Sequence, residues 1–192
     1  NVVESKSLKL YLGSFAQTHV ETPTAVHSLL SSDIAGVVGC EIGVELLGLG
    51  QLPQVGPLAG ENLDGFTPRL SKYRRDTRLL TASGLWGSDC IHTNLFRSVC
   101  PITGQPDWGS ILIDYEGRLL KRDSVLAYLV SHRLSPGFHE DAVERIFVDL
   151  QQVADPTRLS VHGRFLRRGG IDINPFRSLH RETAGLDRAP RQ

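Results

Sequence analysis

The 192-residue sequence has no methionine, only three cysteines, and no net charge, with 21 Lys and Arg balanced by 21 Asp and Glu. Without a surplus of cations the chain lacks the broad positive field on which non-specific nucleic-acid binding relies, so no directly bound nucleic acid is expected. No apolar run approaches the roughly 20 residues of a membrane-spanning helix, and no secretory signal pattern opens the chain, so no membrane association is expected. Cys40, Cys90 and Cys100 are odd in number and form no CxxC pair. That argues against a secreted disulfide framework and for a reducing, cytoplasmic setting. A chain that opens on Asn1 and contains no methionine reads as a piece lacking its natural N-terminal segment. The remaining composition, 40% hydrophobic and 22% charged, is ordinary for a globular protein and suffices for one domain or two small modules.

Residues Asn1 to Glu4 read as the end of a strand, and Leu8, Leu10, Tyr11, Leu12 and Phe15 follow at roughly helical spacing. Thr22-Pro23 predicts an N-cap followed by proline at the first helical position. Ala25, Val26, Leu29, Leu30 and Ile34 supply that helix's apolar stripe. Cys40, Ile42, Val44 and Leu46 alternate with Glu41, Gly43 and Glu45, the pattern of a half-buried strand. Gly48, Gly50, Pro53, Gly56, Pro57 and Gly60 then mark a long irregular connection. Ile91, Thr93, Leu95 and Val99 predict one strand; Ile111, Ile113 and Tyr115 predict another, ended by a turn at Glu116-Gly117. Asp123 is the expected cap of a helix carrying Val125, Leu126, Leu129 and Val130, and a further helix runs from about Glu140 to Val153. Leu159 to Leu166 is the last long strand.

This succession implies an α+β fold with a weak internal repeat. Residues 1–47 are the expected remainder of a first module and 48–88 a linker. Residues 89–178 make a second module, and 179–192 a polar tail. Two such modules side by side would form one antiparallel sheet with the helices on one face.

The most unusual stretch is Ser98-Val99-Cys100-Pro101-Ile102-Thr103-Gly104-Gln105-Pro106-Asp107-Trp108-Gly109-Ser110. Its prolines and glycine allow Cys100 and Asp107 to be held in fixed relation without regular structure. A thiol must lose its proton to attack a carbon electrophile, and a nearby carboxylate can shuttle that proton. On composition alone the plainer reading is favoured: a cysteine at a strand end is more often a small buried hydrophobe, and Pro-Asp-Trp-Gly more often a turn.

Four motifs decide between these readings. Glu4-Ser5-Lys6-Ser7-Leu8-Lys9-Leu10-Tyr11-Leu12, the Cys100–Ser110 loop, Phe138-His139-Glu140 with Val143-Glu144-Arg145-Ile146-Phe147, and Arg167-Arg168-Gly169-Gly170-Ile171-Asp172-Ile173-Asn174-Pro175 occur in order along most of the chain. Together they resemble the NADPH-dependent 7-cyano-7-deazaguanine reductases of queuosine biosynthesis, a tRNA-modification pathway, in their longer two-module subfamily. The resemblance implies the tunnelling fold, built of tandem ββααββ units with the first one incomplete here, and assembly as a homodimer. It also implies reduction of a nitrile to a primary amine by two NADPH through a covalent thioimide. Cys100 is then the nucleophile, Asp107 the proton donor and His139 a catalytic neighbour. Val2, Val3, Glu4, His139 and Glu140 would bind the deazapurine substrate, and Ser5, Lys6, Arg168 and Gly169 the cofactor. An ionised carboxylate suits the paired N–H donors of such a base, and Glu140 in a first helical turn is favoured as an anion.

No GxGxxG follows a strand, so NADPH is not expected in a Rossmann site, and no metal is expected. Two alternatives remain open. One is a zinc-dependent hydrolase of the same fold, resembling GTP cyclohydrolases, with Cys90, His92, Cys100 and His139 as ligands. The other is a non-catalytic purine-binding module.

Overall fold

A computed structural model describes residues 1–192 apart from 69, 71–72, 181–183, 186–187 and 191. It divides the chain into two units, Asn1–Leu52 and Pro53–Gln192. In the first unit Thr22 caps helix α2 (Pro23–Val38) by accepting from the Ala25 N–H, and Gly39 closes it in the left-handed conformation. The preceding helix α1 (Ser5–Ser14) is tied to α2 by a 2.7 Å hydrogen bond from the Tyr11 hydroxyl to Asp33. Two expectations are corrected here. Asn1–Glu4 is not strand, because Glu4 serves as the N-cap of α1. Cys40–Leu46 is not a strand: the sequence alternates, yet among the described residues this unit has no strand for it to pair with.

The second unit carries a five-stranded sheet in the order β1-β2-β3-β4-β5. Its strands are β1 (Glu61–Asn62), β2 (Ala82–Val99), β3 (Pro106–Leu120), β4 (Arg158–Phe165) and β5 (Phe176–Ser178). The sheet is mixed, since β1 joins β2 in parallel while every other pair is antiparallel. Helices α3 (Arg122–Ser131) and α4 (His139–Ala154) lie between β3 and β4 in the chain.

Alternation along the strands sets the core. Ile111, Ile113 and Tyr115 of β3 stand in register with Gly163, Val161 and Leu159 of β4. Against them pack Val125, Leu126 and Leu129 of α3 and Val143, Ile146, Phe147 and Leu150 of α4, all essentially inaccessible. Each such large side chain contributes about 1.5–3 kcal/mol by burial. A register shift between Thr93 and Phe96 puts Phe96, fully buried, on the inner face in place of the expected Leu95.

Two further sequence readings change. Glu116-Gly117 does not end β3; a Cβ at Gly117 would lie 2.7 Å from the Ala154 carbonyl oxygen, so the glycine permits close approach within the strand. Lys121, not Asp123, occupies the N-cap of α3, and Asp123 lies in its first turn. Parts of the 48–88 connection pack on the second unit. Leu63 is fully buried, Asp64 accepts from the Thr93 hydroxyl at 2.6 Å, and Arg75 donates to Asp149 at 2.8 Å. A short 3-10 turn presents Leu63 and Asp64, and Arg75 comes from irregular chain, which leaves no period for a sequence reading to detect. In the tail, Ala189 is buried and Arg188 lies 3.2 Å from Asp172; residues 181–183, 186–187 and 191 lie outside the described residues.

Two outcomes follow from this packing. A Cβ at Gly163 would lie 2.8 Å from both Phe165 Cε2 and Val143 Cγ2. Gly163→Ala is therefore expected to destabilise the protein by about 1–3 kcal/mol, and an unchanged urea midpoint would refute the crowding. Burial pushes His132 and His162 each down to about 4 from the ordinary 6.5. The folded state thus keeps both rings neutral while the unfolded chain protonates, so stability falls as pH drops from about 6.5 towards 4. Replacing His132 with Phe should remove about 1.4 kcal/mol per pH unit from the slope of unfolding free energy between pH 6 and 5, and an unaltered slope counts against that assignment.

Candidate active site

Asp107 stands where the inner row of β3 stops being apolar. It shares the face of Gly109, Ile111 and Ile113, and its side chain is only 5% exposed. A buried carboxylate requires partners, and two converge on the same oxygen. His139 Nε2 lies 3.0 Å from Oδ1, and Arg168 Nη2 lies 2.6 Å from it. His139 is the first residue of α4, and its ring stacks on Phe165 with centroids 4.1 Å apart. Phe165 fits beneath because its neighbours are small. A Cβ at Gly109 would lie 3.0 Å from the ring, and Gly163 leaves space on the other side.

Cys100 arrives from the β2–β3 hairpin. Ser98 stands opposite Asp107 in the register of the two strands, and Cys100 opens the loop just past the end of β2. The turn closes through Cys100 N–H to the Gln105 carbonyl at 2.9 Å and Gly104 N–H to the Cys100 carbonyl at 3.0 Å, with Gly104 at φ 69°. This fold of the loop aims donors at the sulfur. A hydrogen bond from the Thr103 side chain, aided by the Thr103 and Ile102 backbone N–H groups, lowers the Cys100 thiol below its ordinary value, while burial and the Asp107 charge push it back up. Backbone bonds then fix α4 beside the hairpin: Val99 N–H donates to Ser135 and Gly137 N–H donates to Val99, each at 3.1 Å.

The predicted residues Cys100, Asp107, His139 and Arg168 are thus gathered at one end of the second unit, Asp107, His139 and Arg168 in direct contact. Glu140, next along α4, is half-buried and makes no hydrogen bond or ion pair among the described residues. Gly169, at φ 58°, belongs to the turn that follows β4. Val2, Val3, Glu4, Ser5 and Lys6 all lie in the first unit, with Val2 exposed and Lys6 at the surface. There the Glu4 carboxylate accepts from the Lys6 and Ser7 backbone N–H groups at 2.8 Å each, which holds it below the usual carboxylate range.

Sequence reasoning missed Phe165, Thr103 and the engagement of Arg168 with Asp107. Two glycines inside strands, Gly109 and Gly163, were the available sign that an aromatic ring needed room. The zinc alternative gains no support from the geometry: Cys90 lies near the middle of β2, Cys100 lies beyond its far end, and His92 Nδ1 contacts the Ala59 carbonyl at 2.9 Å. No group of three or more His, Cys, Asp or Glu side chains fit to hold a metal occurs among the described residues.

The family model "QueF-like protein" matches residues 106–184, and "Nitrile reductase, 7-cyano-7-deazaguanine-reductase N-term" matches residues 1–46. The chain is 42% identical over 188 residues to the NADPH-dependent 7-cyano-7-deazaguanine reductase of Burkholderia vietnamiensis (strain G4 / LMG 22486), covering 95% of this chain and 68% of that one. It is 44% identical over 182 residues to the protein of the same name from Burkholderia mallei (strain SAVP1), covering 93% of this chain and 66% of the relative. The chain therefore spans about two thirds of the length of the curated relatives it matches. Among solved structures, the archaeosine synthase QueF-Like in its apo form aligns at 17% identity with a TM-score of 0.43, covering 48% of this chain and 91% of the other. With family models matching both ends and this identity across nearly all of its length, the chain belongs to the 7-cyano-7-deazaguanine reductase family.

Proposed function

We propose that this chain reduces the nitrile of 7-cyano-7-deazaguanine to the aminomethyl group with NADPH, in queuosine biosynthesis, and that Cys100 carries the substrate as a covalent thioimide. The observation that carries this reading is a thiol lowered by its own hairpin turn, within electrostatic reach of a buried carboxylate held by His139 and Arg168. Both curated relatives bear the name of that activity.

Cys100 passes its proton to Asp107 as Sγ adds to the nitrile carbon. A C–S bond forms, one C–N π pair moves to nitrogen, and nitrogen takes the proton from Asp107. Two NADPH, when bound, supply the two hydrides that bring this carbon to the amine level. Between the two reductions the C–S bond breaks and its electron pair returns to Cys100. His139, 11% exposed and 3.0 Å from Asp107, is the route by which solvent protons resupply the carboxylate.

The residues present fit a phosphorylated dinucleotide in donor type. Lys6 offers an exposed cation and Ser5 a hydroxyl, and at Gly170 a Cβ would meet nothing within 4 Å, which leaves the backbone beside Gly169 bare. Glu140 in the second unit, and Glu4 beside Val2 and Val3 in the first, are the carboxylates assigned to the N–H and amino donors of the base. The order β2-β3-α3-α4-β4-β5 matches one ββααββ unit and supports the tunnelling-fold reading, with residues 1–47 as the remainder of a first module. A homodimer formed through open sheet edges, in the cytoplasm, completes the proposal. Three free cysteines accord with a reducing compartment, and among the described residues no helix is long and apolar enough to cross a membrane.

Incubation with 7-cyano-7-deazaguanine alone should raise the mass of the Cys100 peptide by one substrate, and Cys100→Ala should abolish the increase. An unmodified Cys100 peptide in the parent protein sinks the covalent mechanism. Asp107→Asn should slow adduct formation by about 10²–10⁴-fold while substrate affinity is retained. Equal adduct rates in parent and variant would remove Asp107 from proton transfer.

A further inference from the structure

Arg168 makes two contacts that a cofactor-phosphate ligand has no need to make. Its Nη2 donates to the Pro106 carbonyl at 2.8 Å and lies 2.6 Å from Asp107 Oδ1. The same oxygen receives His139 Nε2 at 3.0 Å, so the closest approaches of both cationic side chains are to Oδ1. The guanidinium is delivered by a stiff device. Arg168 and Ile171 exchange backbone hydrogen bonds of 3.1 and 3.2 Å across Gly169 and Gly170, both at positive φ. This is a two-residue mirror-image turn, which glycine adopts without strain. Adjacent Arg167 goes instead towards Asp172, at 3.6 Å.

We propose that Arg168 is the positioning residue of the Asp107 carboxylate: together with His139 it occupies Oδ1, so that Oδ2 alone exchanges the Cys100 proton. This rests on the reading of Cys100 as nucleophile. The arrangement has an electrostatic side as well. A carboxylate beside a thiol opposes thiolate formation, and the Asp107 charge does so here. The guanidinium offsets that charge at close range. The groups facing Asp107 are His139 from α4, Arg168 from the turn after β4, and Cys100 from the hairpin; Cys100 itself faces Thr103 and Asp107. Arg168 therefore acts through Asp107 on both the direction of proton transfer and the pH at which the thiol becomes reactive.

The test is the pH profile of Cys100 alkylation by iodoacetamide in the full chain, read on the Cys100 peptide by mass spectrometry. Arg168→Gln should move the profile to higher pH and slow alkylation at pH 7 by about tenfold, the equivalent of one unit. Arg168→Lys, which keeps the charge, should restore most of the parent profile. Asp107→Asn should move it to lower pH, and adding Arg168→Gln to that variant should change nothing further. Thermal unfolding of each variant identifies one that fails to fold, in which case Arg168→Met replaces the glutamine variant. An Arg168→Gln profile that overlays the parent, or a shift that persists in the Asp107→Asn background, overturns the proposal. If the parent forms no adduct with 7-cyano-7-deazaguanine, the functional reading fails, whereas the alkylation profiles still decide the role of Arg168.

Discussion

A carboxylate placed in the inner row of a sheet is the constraint around which the second unit is organised. Asp107 occupies a position that the β3 alternation otherwise gives to Ile111, Ile113 and Tyr115. Removing that charge from water is tolerable only if cationic or N–H partners replace the solvent. The partners come from two separate later segments, His139 from the start of α4 and Arg168 from beyond β4. Each brings its own requirements. His139 needs Phe165 as a platform, Phe165 needs glycine at 109 and 163, and α4 needs the Val99 backbone bonds that hold its start against the hairpin.

The thiol adds a second demand that pulls against the first. Burial and a neighbouring carboxylate both disfavour a thiolate, so the hairpin must supply compensation locally. It does so with Thr103 and two backbone N–H groups of the Pro101–Gly104 turn, which lower the thiol overall. The reactive sulfur and its proton acceptor are therefore tuned by different segments. The turn acts on Cys100, and the helix start and the Gly169–Gly170 turn act on Asp107.

Much of the second unit was legible because its signals are local. Two-residue alternation marked β3 and β4, and the 3.6-residue spacing of Val143, Ile146, Phe147 and Leu150 marked α4. Thr22-Pro23 marked the start of α2 for the same reason. Where the reading failed, the deciding interaction was non-local. Cys40–Leu46 alternates but lacks a partner strand among the described residues, and Gly117 resembles a turn glycine until the Ala154 carbonyl is found against it. Leu95 yields the inner face to Phe96 because a bulge shifts the register of β2 on β3, which no spacing along β2 alone reveals.

The sequence by itself determined the α+β class, the main elements of the second unit, and the residue types at the site, with the Cys100–Ser110 loop and the Arg168-Gly169-Gly170 run carrying the family resemblance. Local periodicity and turn chemistry encode those features directly. Only the tertiary structure decided that Arg168 and His139 share one oxygen of Asp107, that Phe165 supports the imidazole, and that Thr103 serves the sulfur. These are contacts between segments up to 61 positions apart, from Asp107 to Arg168. They exist because strand pairing and helix packing bring those segments together, and no pattern within either segment specifies which atoms then meet.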